Sequence, residues 1–147
     1  MSYFFTGTVG YKNSIEHFCQ SFPSFRSCQL FRGIYVIPMT ENSLQEAYIG
    51  AEKCAGFEYL LKPLAEALTK FSVGTKIAFC EAEYWGGQGS KSAALWEDGE
   101  LVKTLKFDGQ AFNEVLRFLG IESVTDKDEF DVVNWGRYRK TQDWVPN

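Results

Sequence analysis

Ile77-Ala78-Phe79-Cys80-Glu81-Ala82-Glu83-Tyr84-Trp85-Gly86-Gly87-Gln88-Gly89-Ser90-Lys91 is the stretch from which the fold is read. Side chains alternate across a strand, so Ile77, Phe79, Glu81, Glu83 and Trp85 share one face. Ala78, Cys80, Ala82 and Tyr84 share the other. That second face is mostly small, as expected where a helix lies close against a sheet. Thr75–Trp85 is therefore read as a strand. Gly86–Ser90 is read as a five-residue hairpin loop and Lys91–Glu97 as the returning strand. Asp98-Gly99 then links to Leu101–Phe107. Asp-Gly between two strands is a strong hairpin signal, because both turn positions need positive φ. A three-stranded antiparallel meander follows from Thr75 to Phe107.

Working outward, Ser2–Val9 alternates aromatic and β-branched residues and is read as a strand. Asn13–Gln20 is read as a short helix, Gln29–Ile37 as one strand ended by Pro38, and Thr40–Ile49 as a helix capped by Thr40 or Asn42. Phe57, Leu60, Leu61, Leu64, Leu68 and Phe71 follow one helical face. Pro63 conflicts with that pattern, so either the helix proper starts near Lys62 or the segment bends there. Asp108 is expected to cap a helix over Gly109–Leu119. Gly120 and Ile121 have the placement of a Schellman stop. Asp126–Trp135 holds one more helical turn, with Asp126 and Glu129 as a capping pair and Gly136 ending it. Tyr138 and Trp144 suggest that the tail docks back. The expected fold is α+β: an antiparallel sheet of about five strands with three or four helices packed on it, in one domain spanning 1–147.

The 147 residues carry 15 basic and 19 acidic side chains, a formal charge of −4. An acidic balance argues against generic nucleic-acid binding, which needs a basic surface to release counterions. The start of the chain lacks a basic region and a long apolar run, so no secretory signal is read. No window is apolar enough for a membrane span, and no basic lipid-binding segment is present. Cytoplasm is the expected compartment. The four cysteines, Cys19, Cys28, Cys54 and Cys80, have no zinc-ligand or redox spacing. Cys80 is expected as a buried thiol. Cys19 and Cys28 flank a short loop and would pair only in an oxidising compartment. No metal site and no cofactor motif is read, and the Gly86–Ser90 loop lacks the ending of a P-loop.

Chemistry concentrates at Glu81 and Glu83, two carboxylates on an otherwise apolar face beside Trp85. Alternate residues of a strand lie about 6.7 Å apart, enough to hold a water between two carboxyl groups. The same pair could receive a basic side chain of a partner. It could equally pair with Lys91 or Lys103 on neighbouring strands. Trp85 and Gln88 at the loop base make a contact point of the kind tryptophan favours. A second acidic surface is expected at Asp126–Asp131, with Asp128 and Glu129 as partner-facing residues. The basic cluster Arg137–Lys140 would balance that run within the molecule. His17 is the only histidine; Cys19, two residues on in a helix, does not face it. No catalytic residue is assigned.

Two segments carry a resemblance. They are Glu83–Ser90 with Ser92–Trp96, and Phe130–Trp144 around Asn134-Trp135-Gly136-Arg137-Tyr138-Arg139. They resemble small bacterial cytosolic proteins, some of which are immunity partners in toxin–immunity pairs. The resemblance brings no catalytic motif. It implies a protein-binding module that neutralises a basic toxin by occlusion, and an acidic surface would steer such an encounter. The expected partner-binding residues are Glu81, Glu83, Trp85, Gln88, Asp128 and Glu129. The alternative is a small-molecule binder or hydrolase using Glu81 and Glu83 in an aromatic-lined cleft.

Overall fold

A computed structural model describes residues 2–146. The elements, in chain order, are β1 (Ser2–Tyr11), α1 (Lys12–Ser21), β2 (Cys28–Phe31), β3 (Ile34–Pro38), α2 (Glu41–Ala47), α3 (Lys62–Phe71), β4 (Lys76–Trp85), β5 (Gln88–Glu97), β6 (Glu100–Leu105), α4 (Ala111–Phe118) and α5 (Glu129–Val132). Two short 3-10 turns, Trp135–Arg137 and Thr141–Trp144, end the chain. The strands form one six-stranded sheet in the order β2-β3-β1-β4-β5-β6, and every pairing is antiparallel. The fold is α+β, with four helices of seven or more residues packed on the sheet.

The alternation in β4 sorts the two cores. Ala78, Cys80 and Ala82 face α4, where Phe112, Val115 and Leu116 fill the space that small residues leave. Ile77 and Phe79 face the other way, against Ile15 and Phe18 of α1 and Leu64 and Leu68 of α3. Helices thus cover both faces, which is why β1, the central strand, is buried from Phe5 to Gly10. Gly7 has no room for a side chain: a Cβ there would run into the Ile37 carbonyl oxygen.

The sixth strand comes from the segment expected as a single strand, Gln29–Ile37. It is a hairpin, β2 and β3, folded back at Arg32-Gly33 with Gly33 at φ 73°. One glycine among strand-forming residues is a weak turn signal in sequence, yet it suffices when β3 can pair with β1. The five-residue loop at Gly86–Ser90 is also corrected. Gly86 and Gly87 form a two-residue turn with φ 56° and 84°, and the ladder runs to Trp85 opposite Gln88. Such a turn matches the strand twist, so three further residues gain ladder hydrogen bonds. Asp98 and Gly99 form the other two-residue turn, with φ 50° and 82°.

Pro63 resolves as the first of its two options. It occupies the first turn of α3, where its missing N–H costs nothing, and Phe57 and Leu60 reach the core from the preceding loop. Thr40 caps α2 by accepting from the Ser43 N–H at 3.1 Å. Asp108 does not cap the helix as expected: Gln110 is the N-cap and the helix begins two residues later than Gly109. The Asp108 carboxylate accepts from the Gln110 N–H at 2.8 Å, and α4 proper starts at Ala111. The Schellman stop forms as read: Ile121 N–H bonds Leu116 at 2.8 Å and Gly120 N–H bonds Arg117 at 3.0 Å. In α5 the cap is Asp128 rather than Asp126, because Asp126 lies in the turn closed by Val124 and Lys127. Asn134, in left-handed conformation, redirects the chain there, and Gly136 lies inside the following 3-10 turn. Trp144 docks at 3% exposure. All four cysteines are free thiols, Cys80 buried and Cys28 bonded to the Trp144 carbonyl. Among the described residues, no helix is long and apolar enough to cross a membrane.

Candidate functional site

Glu81 and Glu83 leave the same face of β4 but meet different surroundings. Glu81 turns under the loop that precedes α3. Its carboxylate accepts from the Glu58 N–H with both oxygens at 3.1 Å and from the Tyr59 N–H at 3.3 Å. Burial pushes the Glu81 pKa up, the two N–H groups pull it back, and the nearby Glu58 and Glu83 charges add to the rise. The side chain therefore clamps a loop that has little regular structure of its own. Glu83, two residues on, is exposed. The only side-chain hydrogen bond it accepts among the described residues comes from the Trp85 indole, at 3.4 Å.

Trp85 lies at the tip of the β4–β5 hairpin and is 64% exposed. It is nevertheless held: its ring meets Phe4 of β1 edge-on at 4.7 Å, and its N–H is engaged by Glu83. Gln88, directly across the ladder, is exposed. On the other side of Glu83 lies a cavity of about 140 Å³ between the Gly56–Tyr59 loop and the strands. Glu58, Glu81, Glu83 and Phe107 are among its lining residues. Phe107 is 76% exposed and has φ 55°, a left-handed conformation that a bulky side chain rarely adopts. Its backbone is fixed by Phe107 N–H to Ser92 Oγ at 3.1 Å and by Asp108 N–H to the Lys91 carbonyl at 2.9 Å. The sequence reading missed Phe107. Its only signal was the Phe-Asp-Gly run at a strand end, which reads as an ordinary turn.

The second expected surface turns largely inward. Glu129 is 3% exposed, and its carboxylate meets Arg117 of α4 at 3.2 Å. It joins α4 to α5 and cannot face a partner. Asp128 is exposed but engaged: it caps α5 through Asp131 N–H at 2.9 Å and accepts from the Asn113 amide at 3.1 Å. Buried Asn113 completes the network by accepting from Phe130 N–H at 2.8 Å.

The expected basic partners of the glutamates also lie elsewhere. Lys91 stands opposite Ala82, on the α4 face, with its ammonium 4.1 Å from the Phe130 ring centroid. Lys103 pairs with Glu114 at 3.0 Å. Arg137 does not balance the acidic run. It donates to the carbonyls of Leu30, Val133 and Asn134 and lies over the Trp144 ring.

The structure thus joins Glu83, Trp85, Gln88 and, through the clamp, Glu81, and adds Glu58, Tyr59 and Phe107. It separates them from Asp128 and Glu129. Among the described residues, no group of three or more His, Cys, Asp or Glu side chains is placed to hold a metal ion. Fold and site define an α+β protein whose conspicuous surface combines exposed aromatic rings with carboxylates. Comparison with protein-family models, with curated proteins and with solved structures finds no match for the chain.

Proposed function

We propose that the protein is a cytosolic protein-binding module of the immunity type, which blocks a basic toxin partner through the surface carrying Trp85, Glu83, Glu58 and Phe107. The observation that carries this reading is Trp85: a tryptophan 64% exposed yet fixed from two sides. A ring held in place before contact loses little side-chain entropy on binding, and tryptophan is enriched among residues that dominate interface energies. The Glu83 carboxylate beside it, in no ion pair among the described residues, supplies attraction for a basic surface and repels nucleic acid. Occlusion needs no catalytic group, and the two-stranded reach of the β4–β5 hairpin suits insertion into a partner's cleft.

The test is capture from host extract at low and moderate salt with tagged protein, followed by the same capture with Trp85→Ala and Glu83→Ala. The expected result is one stoichiometric basic partner, weakened by salt and lost in both variants. Capture that neither variant changes removes this surface from the proposal.

A hydrolase or small-molecule binder using Glu81 and Glu83 is the second reading. It is favoured by the raised pKa of Glu81 beside a cavity. Against it, the Glu81 oxygens are already taken by two backbone N–H groups. A Glu81 that titrates at its ordinary value while the fold is intact ends the acid–base version.

A further inference from the structure

A second cleft, of about 200 Å³, opens on the other flank of Glu83. It exists because β1 outruns its neighbour. The β1–β3 pairing ends at Gly7 and Pro38, whereas β1 continues to Ser2 against β4. The C-terminal turn returns to this edge only at Arg139 and Thr141. The space left is lined by apolar Phe4 and Met39, by Tyr59, and by Glu41 and Glu83.

The two carboxylates come from different elements, the first turn of α2 and the end of β4. Both are exposed, and neither is in an ion pair among the described residues. Glu58, nearby, differs in being neutralised by Lys53 at 2.8 Å. Burial first, then the charges of Glu83, Glu41, Glu58 and Glu81, raise the Tyr59 phenol. Independently of charge, the rim carries Trp85, exposed and packed edge-on against Phe4. An exposed anchor beside a cleft points to a macromolecule rather than a free cation.

We propose that this cleft is a socket for an arginine side chain of the basic partner, stacked on Tyr59 and bonded to Glu41 and Glu83. The proposal rests on the docking surface above and names the residue that surface receives. Arginine fits better than lysine for a physical reason. Its planar guanidinium can lie on an aromatic face while its separate N–H groups reach carboxylates on two sides. A lysine ammonium is a strongly hydrated point charge that gives up more solvation in an apolar-floored cleft.

The deciding experiment titrates the ¹⁵N-labelled full chain with N-acetyl-arginine amide at millimolar concentrations, beside its lysine and citrulline counterparts. Saturable amide shifts at Phe4, Tyr59, Glu83 and Thr141 with the arginine compound, and none with neutral citrulline, are expected. The Glu41→Gln/Glu83→Gln variant should lose them with the rest of the spectrum unchanged. Absent shifts, shifts shared with citrulline or retained by the double variant overturn the socket. Equal shifts with the lysine compound overturn the guanidinium assignment. Partner capture lost in Trp85→Ala while arginine gives no shifts sinks the socket alone. Capture indifferent to Trp85→Ala sinks the docking surface itself.

Discussion

The hydroxyl oxygen of Thr141 accepts a hydrogen bond from the backbone N–H of Thr6 at 3.1 Å, across 135 residues of chain. Both residues are buried. The contact supplies what β3 does not. Past the end of the β1–β3 ladder, the Phe4 N–H is taken by the Arg139 carbonyl at 2.8 Å and the Thr6 N–H by the Thr141 side chain. The tail stands in for a strand along the first residues of β1. It also brings Trp144 beneath Phe5, edge-on at 6.1 Å.

Thr141→Val keeps the shape and removes the acceptor, leaving a buried N–H without a partner. The expected cost is about 1–3 kcal/mol, read as a lower urea midpoint at unchanged slope. Thr141→Ser, which keeps the oxygen, should recover most of that loss.

Gly7→Ala should destabilise by about 1–3 kcal/mol, the usual cost of forcing extra atoms into a packed interior. The added carbon meets the Ile37 carbonyl, a backbone atom of the paired strand that no side-chain rotation can move aside. Chemical denaturation measures the loss. Amide exchange should rise first in β2 and β3, whose pairing with the sheet runs through this contact.

Glu81→Gln tests the clamp against a catalytic role. One amide oxygen replaces two charged acceptors, so exchange protection at Glu58 and Tyr59 should fall by about tenfold or more, since bonds to a charged group contribute about 1.5–3 kcal/mol. Protection elsewhere in β4 should hold. Unchanged exchange at both amides would mean that Glu81 does not position the loop.

Burial acts to raise the Asp128 carboxyl, but bonds from Asp131 and Asn113, with the Lys91 charge, outweigh it and leave the group below its ordinary value of 3.8. A carboxyl lowered in the fold adds stability above its unfolded pKa, and that stability is lost as pH falls through the folded value. Asp128→Asn retains a capping oxygen without the charge. It should be less stable than the parent at neutral pH, with the gap closing below about pH 4. Asp128→Ala, which also loses the cap, should cost about 1 kcal/mol at neutral pH.

Phe107→Gly separates stability from binding. The side chain is exposed and the backbone left-handed, so glycine removes strain without opening a cavity. Calorimetry should show stability unchanged or raised by up to about 1 kcal/mol. Partner capture should weaken. A large drop in stability would show that the ring packs more than its exposure implies.

The elements legible in sequence are those whose signal is local. The period-two pattern of β4 together with Asp98-Gly99 places the meander. Gly120 followed by Ile121 places the end of α4, and Pro63 narrows the start of α3 to one of two options. The β2–β3 hairpin was not legible, because Arg32-Gly33 becomes a turn only when β1 offers a partner for the returning strand. The six residues singled out for binding divide for the same reason. Glu83, Trp85 and Gln88 stay at the surface, as their place at a hairpin tip implies, and Asp128 stays exposed but is taken up as the cap of α5. Glu129 and Glu81 turn inward because Arg117 and the Glu58–Tyr59 amides wait for them, groups that are distant along the chain. Glu41 carries no marker in sequence, and the Phe-Asp-Gly run at Phe107 reads only as an ordinary turn.

Periodicity, turn chemistry and caps are short-range properties of the chain, and with them came the α+β class, the meander and the two faces of β4. Whether a carboxylate is a clamp, a cap or an open acceptor depends on which donors the folded chain brings within about 3 Å of it. That placement, including the return of Thr141 to Thr6 and the cleft beside Glu83, belongs to the tertiary structure alone.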